Sequence, residues 1–169
     1  LKAAELDWTV SKQPIYTKNN DKFEAVPDKF CVKRDYDNKI LGVVGERYEV
    51  FQNFEAFDFM DELVNSGDTK YETAGSLAEG KRIWLLAQME GFKLFDDEIA
   101  NYMCLTSSHD GTSGLKVFMT PTRVVCQNTL NLAISGAKRT WSVVHSKQIQ
   151  NRVEEARQTL QLSSTYLDR

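Results

Sequence analysis

The sequence has few of the residues that define specialised protein classes. Its 169 residues include only three cysteines and three prolines, and no apolar run approaches the roughly 20 residues that span a bilayer. Cys31, Cys104 and Cys126 are odd in number and widely spaced, which argues against a disulfide framework or a zinc ribbon and favours a reducing compartment. No basic-then-apolar leader begins the chain. We therefore expect a cytoplasmic protein without a membrane segment.

Acidic residues are absent from one long segment, Gly111 to Val153. That segment holds six of the 21 basic residues and none of the 24 acidic ones, so it carries +6 while the remainder of the chain carries −9. Such asymmetry favours a polyanionic partner. The alternative is that a run of charge in the sequence does not form a patch in the fold. The basic residues are Lys116, Arg123, Lys138, Arg139, Lys147 and Arg152.

The residues that are present predict one α+β domain. Nine Phe, six Tyr and three Trp supply bulky core material, and the length is enough to bury a core without disulfides or metals. We expect an α+β domain over residues 1–145 and a C-terminal helix over 146–169. We also expect the chain to be a fragment of a longer protein, because it ends inside a helical pattern.

Strand signals predict a mostly antiparallel sheet built from hairpins, with the helices packed on one face. Alternation over 30–34, a turn at Asp37-Asn38 and an apolar run over 40–44 indicate one hairpin. Similar patterns over 71–89 and 102–119 indicate two more, and residues 139–145 indicate a last strand. Residues 47–51 predict another short strand. Residues 1–28 show no clear period, and we expect loops there with a short strand near Trp8 and Val10.

Apolar spacing predicts three helices. Asn53 is a typical N-cap for a helix over 54–66, which Gly67 would end. Thr120 and Pro121 predict the start of a second helix that ends at Gly136. Ser146 would cap the last helix, in which residues 149, 153, 156 and 160 recur at four-three-four spacing. This helix either packs on the sheet or pairs with a second copy through a heptad seam.

The acid-free segment is the candidate nucleic-acid-binding surface. Arginine and lysine side chains would bind phosphates, the start of the predicted Pro121 helix would bind an anion, and an exposed Trp141 would stack on a base. The alternative for Trp141 is a place in the sheet core. The predicted contacts are Lys116, Arg123, Lys138, Arg139, Trp141, Lys147 and Arg152. A second candidate, a functional loop, consists of His109, Asp110 and Asn128.

Other chemistries find weaker support. Cys126, His109, His145 and Asp110 could form a cysteine–histidine–acid arrangement or a metal site, but no HxxxH, HExxH or CxxC spacing is present. Asp96, Asp97 and Glu98 are more typical of a solvated turn than of a cation site. The two glycine pairs, at 42–45 and 111–114, do not match GxGxxG or a GK[ST] ending. We therefore predict no cofactor and no metal, and an enzyme dependent on Cys126 stays an alternative.

Five stretches are distinctive: SSHDGTSG at 107–114, TRVVCQNTLNLA at 122–133, ILGVVGERYEVFQNFEAFDF at 40–59, KYETAGSL at 70–77 and the Val-His pair at 144–145. In this order they resemble the phage/plasmid-like family grouped as domain of unknown function 932 (DUF932). The family brings no established reaction and no functional residues, but the resemblance implies a phage, plasmid or other mobile element. The strand-strand-strand-helix run over 81–135 also resembles the core of Rad52-like single-strand annealing proteins.

Together these observations predict a nucleic-acid-binding accessory protein of a mobile element that favours single-stranded DNA and acts in annealing or recombination. We expect no membrane partner. Self-association through the C-terminal helix is a further expectation. The alternative is a protein-interaction or inhibitory module that acts on a host factor.

Overall fold

The computed structural model describes residues 1–64, 70–89, 102–137, 139–147 and 149–160, and the backbone of 93–94 and 98–99. The strands are β1 Val10–Asn19, β2 Lys22–Arg34, β3 Ile40–Gly45, β4 Tyr71–Leu77, β5 Arg82–Gln88, β6 Lys93–Leu94, β7 Glu98–Ile99, β8 Tyr102–Ser108, β9 Leu115–Thr120 and β10 Thr140–Val143. The α-helices are α1 Asn53–Leu63, α2 Gln127–Ser135 and α3 Val153–Leu160, and 3-10 turns lie at Lys2–Ala4, Ala78–Gly80 and Ile149–Arg152.

The strands form two main antiparallel sheets. The first has the order β1-β2-β3 and the second the order β10-β9-β8-β5-β4, while β6 and β7 pair only with each other. The predicted hairpins are present as β2–β3, β4–β5 and β8–β9. The α+β class, with mostly antiparallel strands and a C-terminal helix, is confirmed.

The long β1–β2 hairpin is the main element that the sequence reading missed. Its turn is Asn20-Asp21, where both residues have positive φ, at 49° and 65°; this conformation is typical of a tight two-residue hairpin turn. Most side chains from Tyr16 to Ala25 are exposed on both faces. Without a buried face the strands carry no clear alternation, so the pattern gave no strand signal.

The helices begin at different residues from those predicted. The helix expected over 54–66 is present as α1, but Gln52 is its N-cap. The backbone N–H of Gln52 donates to Glu55 Oε2 at 2.7 Å. Asn53 is instead a buried residue of the first turn. Helix α2 begins at Gln127 and not after Pro121, and the chain reaches it through an irregular stretch in which Val124 is buried. The end of α2 at Gly136 is as predicted.

The core has three parts. The largest lies between α1, α3 and one face of the five-stranded sheet, and includes Phe59, Leu105 and Trp141. The second lies between α2 and the opposite face, around Trp84 and Phe118. The prediction of helices on one face therefore holds for α1 and α3, whereas α2 covers the other face. The third part joins the small sheet to residues 8, 48 and 50.

The C-terminal helix packs onto the domain within its described residues. Val153, Ala156 and Leu160 are buried in the same core as α1, and the Arg157 guanidinium donates to the carbonyl groups of Glu62 and Leu63 at the end of α1. Packing, and not an open heptad seam, is therefore observed up to residue 160. The predicted strand over 47–51 is wrong, since these residues form no strand. The acidic residues Asp96 and Asp97 lie outside the described residues.

Candidate functional site

The loop over 108–114 connects β8 to β9 and is held by its own side chains. Ser108 Oγ accepts from the Ser113 amide at 3.0 Å and donates to the Ser113 carbonyl at 2.7 Å. Asp110 Oδ1 accepts from the amide and the hydroxyl of Thr112. Burial raises the pKa of the Asp110 carboxyl and the bonds from Thr112 lower it, with a net pKa below its ordinary value. Gly111 has φ of +78°, as the predicted Asp-Gly turn requires.

This loop lies where the two main sheets meet. The backbone of β3 passes so close that a Cβ built on Gly42 would lie 2.5 Å from the Cα of Asp110. A Cβ on Gly114 would lie 2.1 Å from the carbonyl oxygen of Val143 on β10. Gly111 sits against the Val44 side chain. The loop is therefore clamped between β3 of the small sheet and β10 of the large sheet, and we call this region the sheet junction.

His109 is fully buried at the sheet junction. Its Nε2 lies 2.8 Å from Oδ1 of Asn53 at the start of α1. The Asn53 amide nitrogen faces the carbonyl groups of Leu6 and Trp8, so Oδ1 must accept and His109 Nε2–H must donate. The Trp8 ring lies 5.4 Å from the imidazole, centroid to centroid. One histidine thus ties the β8–β9 loop to α1 and to the N-terminal segment.

His145 occupies the same region from the other side. Its Nε2 lies 2.9 Å from Ser107 Oγ, and its ring stacks on Tyr48 at a centroid distance of 5.0 Å. Phe51 packs edge-on against it. The Tyr48 hydroxyl donates to the Ser108 carbonyl at 3.3 Å, and burial raises the pKa of this phenol. The loop between β3 and α1 therefore encloses the second histidine.

Both imidazoles are neutral at physiological pH. Burial is the main cause that lowers the pKa of His109, the neighbouring His145 adds to it and Asp110 opposes it, and the resulting pKa is about 4. Burial also lowers the pKa of His145 to about 4. The Nδ1 atoms of both rings are buried without a hydrogen-bond partner in the described part of the chain. Neutral rings tolerate this better than imidazolium, which would need two acceptors.

The described residues contain no group of three or more side chains that could hold a metal ion. Cys126 is exposed at the start of α2, where its Sγ lies 3.5 Å from Thr129 Oγ1. Hydrogen bonds from Thr129 lower the pKa of this thiol. The two histidines are buried and hydrogen-bonded to Asn53 and Ser107, whereas Cys126 is exposed, so the cysteine–histidine arrangement considered from the sequence is not present. Asn128 is exposed on α2, apart from the buried His109 with which it was grouped.

The basic segment does not form one face of the molecule. Lys116 lies on β9, on the face covered by α2, since it alternates with Leu115 and Val117 of the main core. Arg123 forms an ion pair with Glu72 of β4 at 2.8 Å. Strands β9 and β4 are three positions apart in the sheet, which is about 14 Å at the usual strand spacing. Lys138 lies outside the described residues.

Three of the remaining predicted contacts lie on or near the opposite face. Trp141 is only 3% exposed, and its ring stacks on that of Phe59 of α1 at a centroid distance of 5.4 Å. Trp141 is therefore a core residue and is not placed to stack on a base. Arg152 lies over Trp141 and pairs with Glu155 at 2.7 Å. Arg139 donates to the Leu160 carbonyl. Lys147 is exposed.

The sequence reading missed Asn53, Tyr48 and Ser107 as partners of the histidines. The position of Asn53 before an apolar period predicts a helix cap, but its neighbour Gln52 has that role. One signal was available, since all three residues lie in or beside the same stretches that resemble DUF932. Their partners are 38 to 97 positions away in sequence, however, so only the fold brings them together.

The fold and the sheet junction define an α+β protein in which two antiparallel sheets meet at two buried, neutral histidines. One histidine is hydrogen-bonded to Asn53 and the other to Ser107. Comparison with protein families then places it. The family model described as domain of unknown function (DUF932) matches residues 40–169, and the chain belongs to this family. No curated protein and no solved structure matches it. Within the described ranges, no helix has the length and apolar character needed to cross a membrane.

Proposed function

We propose that this protein binds nucleic acid, with single-stranded DNA as its favoured ligand, and acts in annealing or recombination for a phage, plasmid or other mobile element in the cytoplasm. The observation that supports this best is that α2 and the neighbouring strands β9 and β10 contain no Asp or Glu. We call this part of the surface the α2 surface. It consists of α2 and the neighbouring part of β9 and β10, and includes Lys116, Gln127, Asn128, Asn131, Thr140 and Ser142.

The chemistry of the α2 surface suits a phosphate backbone. Helix α2 has no charged residue, and its amide side chains at positions 127, 128 and 131 are exposed. Ser142 of β10 lies directly opposite Lys116 of β9, so the two share a face. Lys116 has no ion pair within the described residues, and its charge is available to a phosphate. Amide and hydroxyl groups can add contacts that position the backbone without reading bases.

The proposed contacts differ from the set predicted from the sequence. Lys116 is the main proposed phosphate contact. Arg123, at the edge of the same face, would exchange its exposed pair with Glu72 for a phosphate, and such exposed pairs contribute little stability. Lys147 is a further exposed cation of the segment, and Arg139 lies on the α3 side, where it donates to the Leu160 carbonyl. Trp141 is a core residue of the opposite face, and Arg152 lies over its ring and pairs with Glu155, so both leave the proposed surface.

Binding of a labelled single-stranded oligonucleotide across a salt series tests this proposal. Because phosphate contacts release counterions, affinity should fall steeply with salt, and each lost contact should reduce the slope by about 0.7 for single strands. We expect Lys116→Ala and Arg123→Ala each to weaken binding and lower the slope. Mixing complementary strands, one of them labelled, would show whether binding also promotes annealing.

Lys22→Ala is the matched control, because Lys22 is an exposed lysine at the far end of the β1–β2 hairpin. It should bind as the unmodified chain does. If Lys22→Ala loses as much affinity as Lys116→Ala, binding is a general charge effect and the α2 surface is not the site. If no binding occurs at low salt, the nucleic-acid function itself is wrong.

A further inference from the structure

The β1–β2 hairpin extends beyond the small sheet as a two-stranded arm. Strand β3 pairs with β2 only from Lys29 to Lys33, while β1 and β2 continue to pair with each other as far as Asn19 and Lys22. We define the arm as residues 16–25, from the Tyr16–Ala25 pair to the turn. No third strand covers it in the described structure. Two-stranded ribbons are marginally stable in water when nothing packs on them.

One face of the arm is aromatic and the other is polar. Directly opposed residues of an antiparallel pair share a face. Tyr16 opposes Ala25 and Phe23 opposes Lys18, so these four side chains lie on one face; Tyr16 is 57% exposed and Phe23 is 71% exposed. The other face carries Thr17, Asn19, Lys22 and Glu24. An aromatic face of this kind on an otherwise polar element is typical of an interaction surface.

A groove of complementary character lies at the opposite end of the same hairpin. It has a volume of about 1140 Å³ and runs along β4, the edge strand of the large sheet, beside the N-terminal segment. Its walls include the rings of Trp8, Tyr36 and Trp84. The Trp84 indole packs directly against Gly75, where a Cβ would lie 2.5 Å from the ring, and the side chain is only 7% exposed at the floor of the groove.

The aromatic face of the arm and the groove carry opposite charges, although the arm as a whole is neutral, with Lys18 and Lys22 against Asp21 and Glu24. Among the described residues, Glu5, Asp7 and Asp35 line the groove together with one cation, Arg34. Arg34 pairs with Asp37 at 2.7 Å and lies over the Trp8 and Tyr36 rings, so an incoming aromatic side chain would meet the outer faces of these rings. The aromatic face of the arm carries one cation, Lys18, between its two rings. Its pair with Asp21 spans 3.7 Å between highly exposed side chains, so little is lost when Lys18 moves to another carboxylate.

We propose that the arm of one copy docks in the groove of a second copy, with Tyr16 and Phe23 against the groove's aromatic rings and Lys18 towards Asp7 and Glu5. The arm cannot reach the groove of its own chain. Tyr16 is six positions beyond Val10, which pairs with Arg34 at the edge of the groove, and six extended residues span about 20 Å in the outward direction. The contact therefore joins different surfaces of two copies.

Such a contact continues from copy to copy and produces a ring or a filament. It uses surfaces separate from α2, so it does not depend on the proposed nucleic-acid function. It also differs from self-association through the C-terminal helix, whose described part is already packed against α1. The arm supplies apolar and cationic groups and the groove supplies aromatic walls and carboxylates, so each copy carries both halves.

Measurement of molar mass in solution tests this proposal in the absence of nucleic acid. The unmodified chain should form species larger than a monomer, in amounts that grow with concentration. An arm variant, Tyr16→Ser/Phe23→Ser, and a groove variant, Asp7→Lys/Tyr36→Ser, should each be monomeric. A mixture of the two variants retains one intact arm and one intact groove, so it should form dimers and nothing larger.

Thr17→Ser/Glu24→Gln is the control, because this pair on the polar face lies between the Tyr16–Ala25 and Lys18–Phe23 pairs of the aromatic face. It should assemble as the unmodified chain does. Unchanged far-ultraviolet circular dichroism would show that each variant is folded. A monomeric unmodified chain at every concentration would overturn the proposal. So would assembly by the arm variant, or a mixture of the two variants that stays monomeric. Nucleic-acid binding by a monomeric chain would leave the function standing without this assembly.

Discussion

At the residue scale, a few side chains decide how the two sheets are joined. Asn53 accepts from His109 through its oxygen and donates through its nitrogen to two carbonyl groups of the N-terminal segment. Gly42 lets β3 approach the Asp110 backbone. Neither role is local, because each residue meets partners far away in sequence. Small changes at these positions should therefore affect the whole junction.

Asn53→Ala should lower the free energy of unfolding by about 1–3 kcal/mol, because it removes the hydrogen-bond partner of His109 Nε2–H and the side-chain donor to the Leu6 and Trp8 carbonyl groups. Urea denaturation measures this change. Asn128→Ala is the matched control, since Asn128 is exposed on α2, and it should stay within about 0.5 kcal/mol of the unmodified chain. Equal losses in the two variants would contradict the assigned role of Asn53.

Gly42→Ala should destabilise the fold by about 1–3 kcal/mol, because the new methyl group would overlap the Asp110 backbone, which cannot move without opening the loop. Gly45→Ala in the same strand adds the same methyl group where no atom lies within 4 Å. Thermal unfolding of the pair compares them directly. A drop in melting temperature for Gly45→Ala as large as that for Gly42→Ala would show that the approach to Asp110 is unimportant.

At the element scale, α2 is set apart from the other helices by the face it covers. Leu130 and Ala133 are buried against Phe118 and Trp84, while Leu132 is exposed on the outer side of the helix. The helix therefore packs on the sheet through a narrow stripe of buried apolar side chains, and its uncharged polar side faces solvent. This division is what makes the α2 surface available for a ligand without a cost in core packing.

Leu130→Ala should cost about 2–5 kcal/mol of stability, because it opens a cavity under α2. Leu132→Ala removes the same atoms from an exposed position of the same helix and should change stability little. Denaturant unfolding curves of both variants provide the comparison. Similar losses would mean that α2 does not pack as described, and the α2 surface would then lose its structural basis.

At the scale of the whole molecule, the buried histidines link stability to pH. Each imidazole has a pKa of about 4 in the folded chain and an ordinary value of 6.5 when unfolded. As the pH falls below 6.5, the two histidines bind protons in the unfolded chain but stay neutral in the folded chain. Stability should therefore decline between pH 6.5 and about 4 and change little from this source below that range. Asp110, the acidic side chain that acts on His109, opposes the effect only in part.

The expected loss is about 3 kcal/mol for each histidine over this interval. Unfolding free energies measured by urea denaturation at a series of pH values check it. His145→Phe removes one titrating group and should reduce the pH dependence by about half, whatever its effect on stability at neutral pH. An unchanged slope would show that His145 is not responsible.

The fold class and most of the elements follow from patterns within short stretches of the sequence. Local turn residues and apolar periods are short-range signals, so the hairpins β2–β3, β4–β5 and β8–β9 and the helix α1 follow from neighbouring residues alone. The stretches that resemble DUF932 also sufficed to identify the family, since they depend only on the order of residues.

The positions of the charged and polar side chains, by contrast, depend on how the elements pack together. The acid-free segment suggested one cationic face, but strand alternation sends Lys116 and Trp141 to opposite sides of the sheet, and Glu72 and Glu155 from outside the segment pair with Arg123 and Arg152. The histidine pair, the aromatic arm and the groove likewise depend on contacts between distant residues. Such contacts are set by packing of whole elements, which no local pattern records.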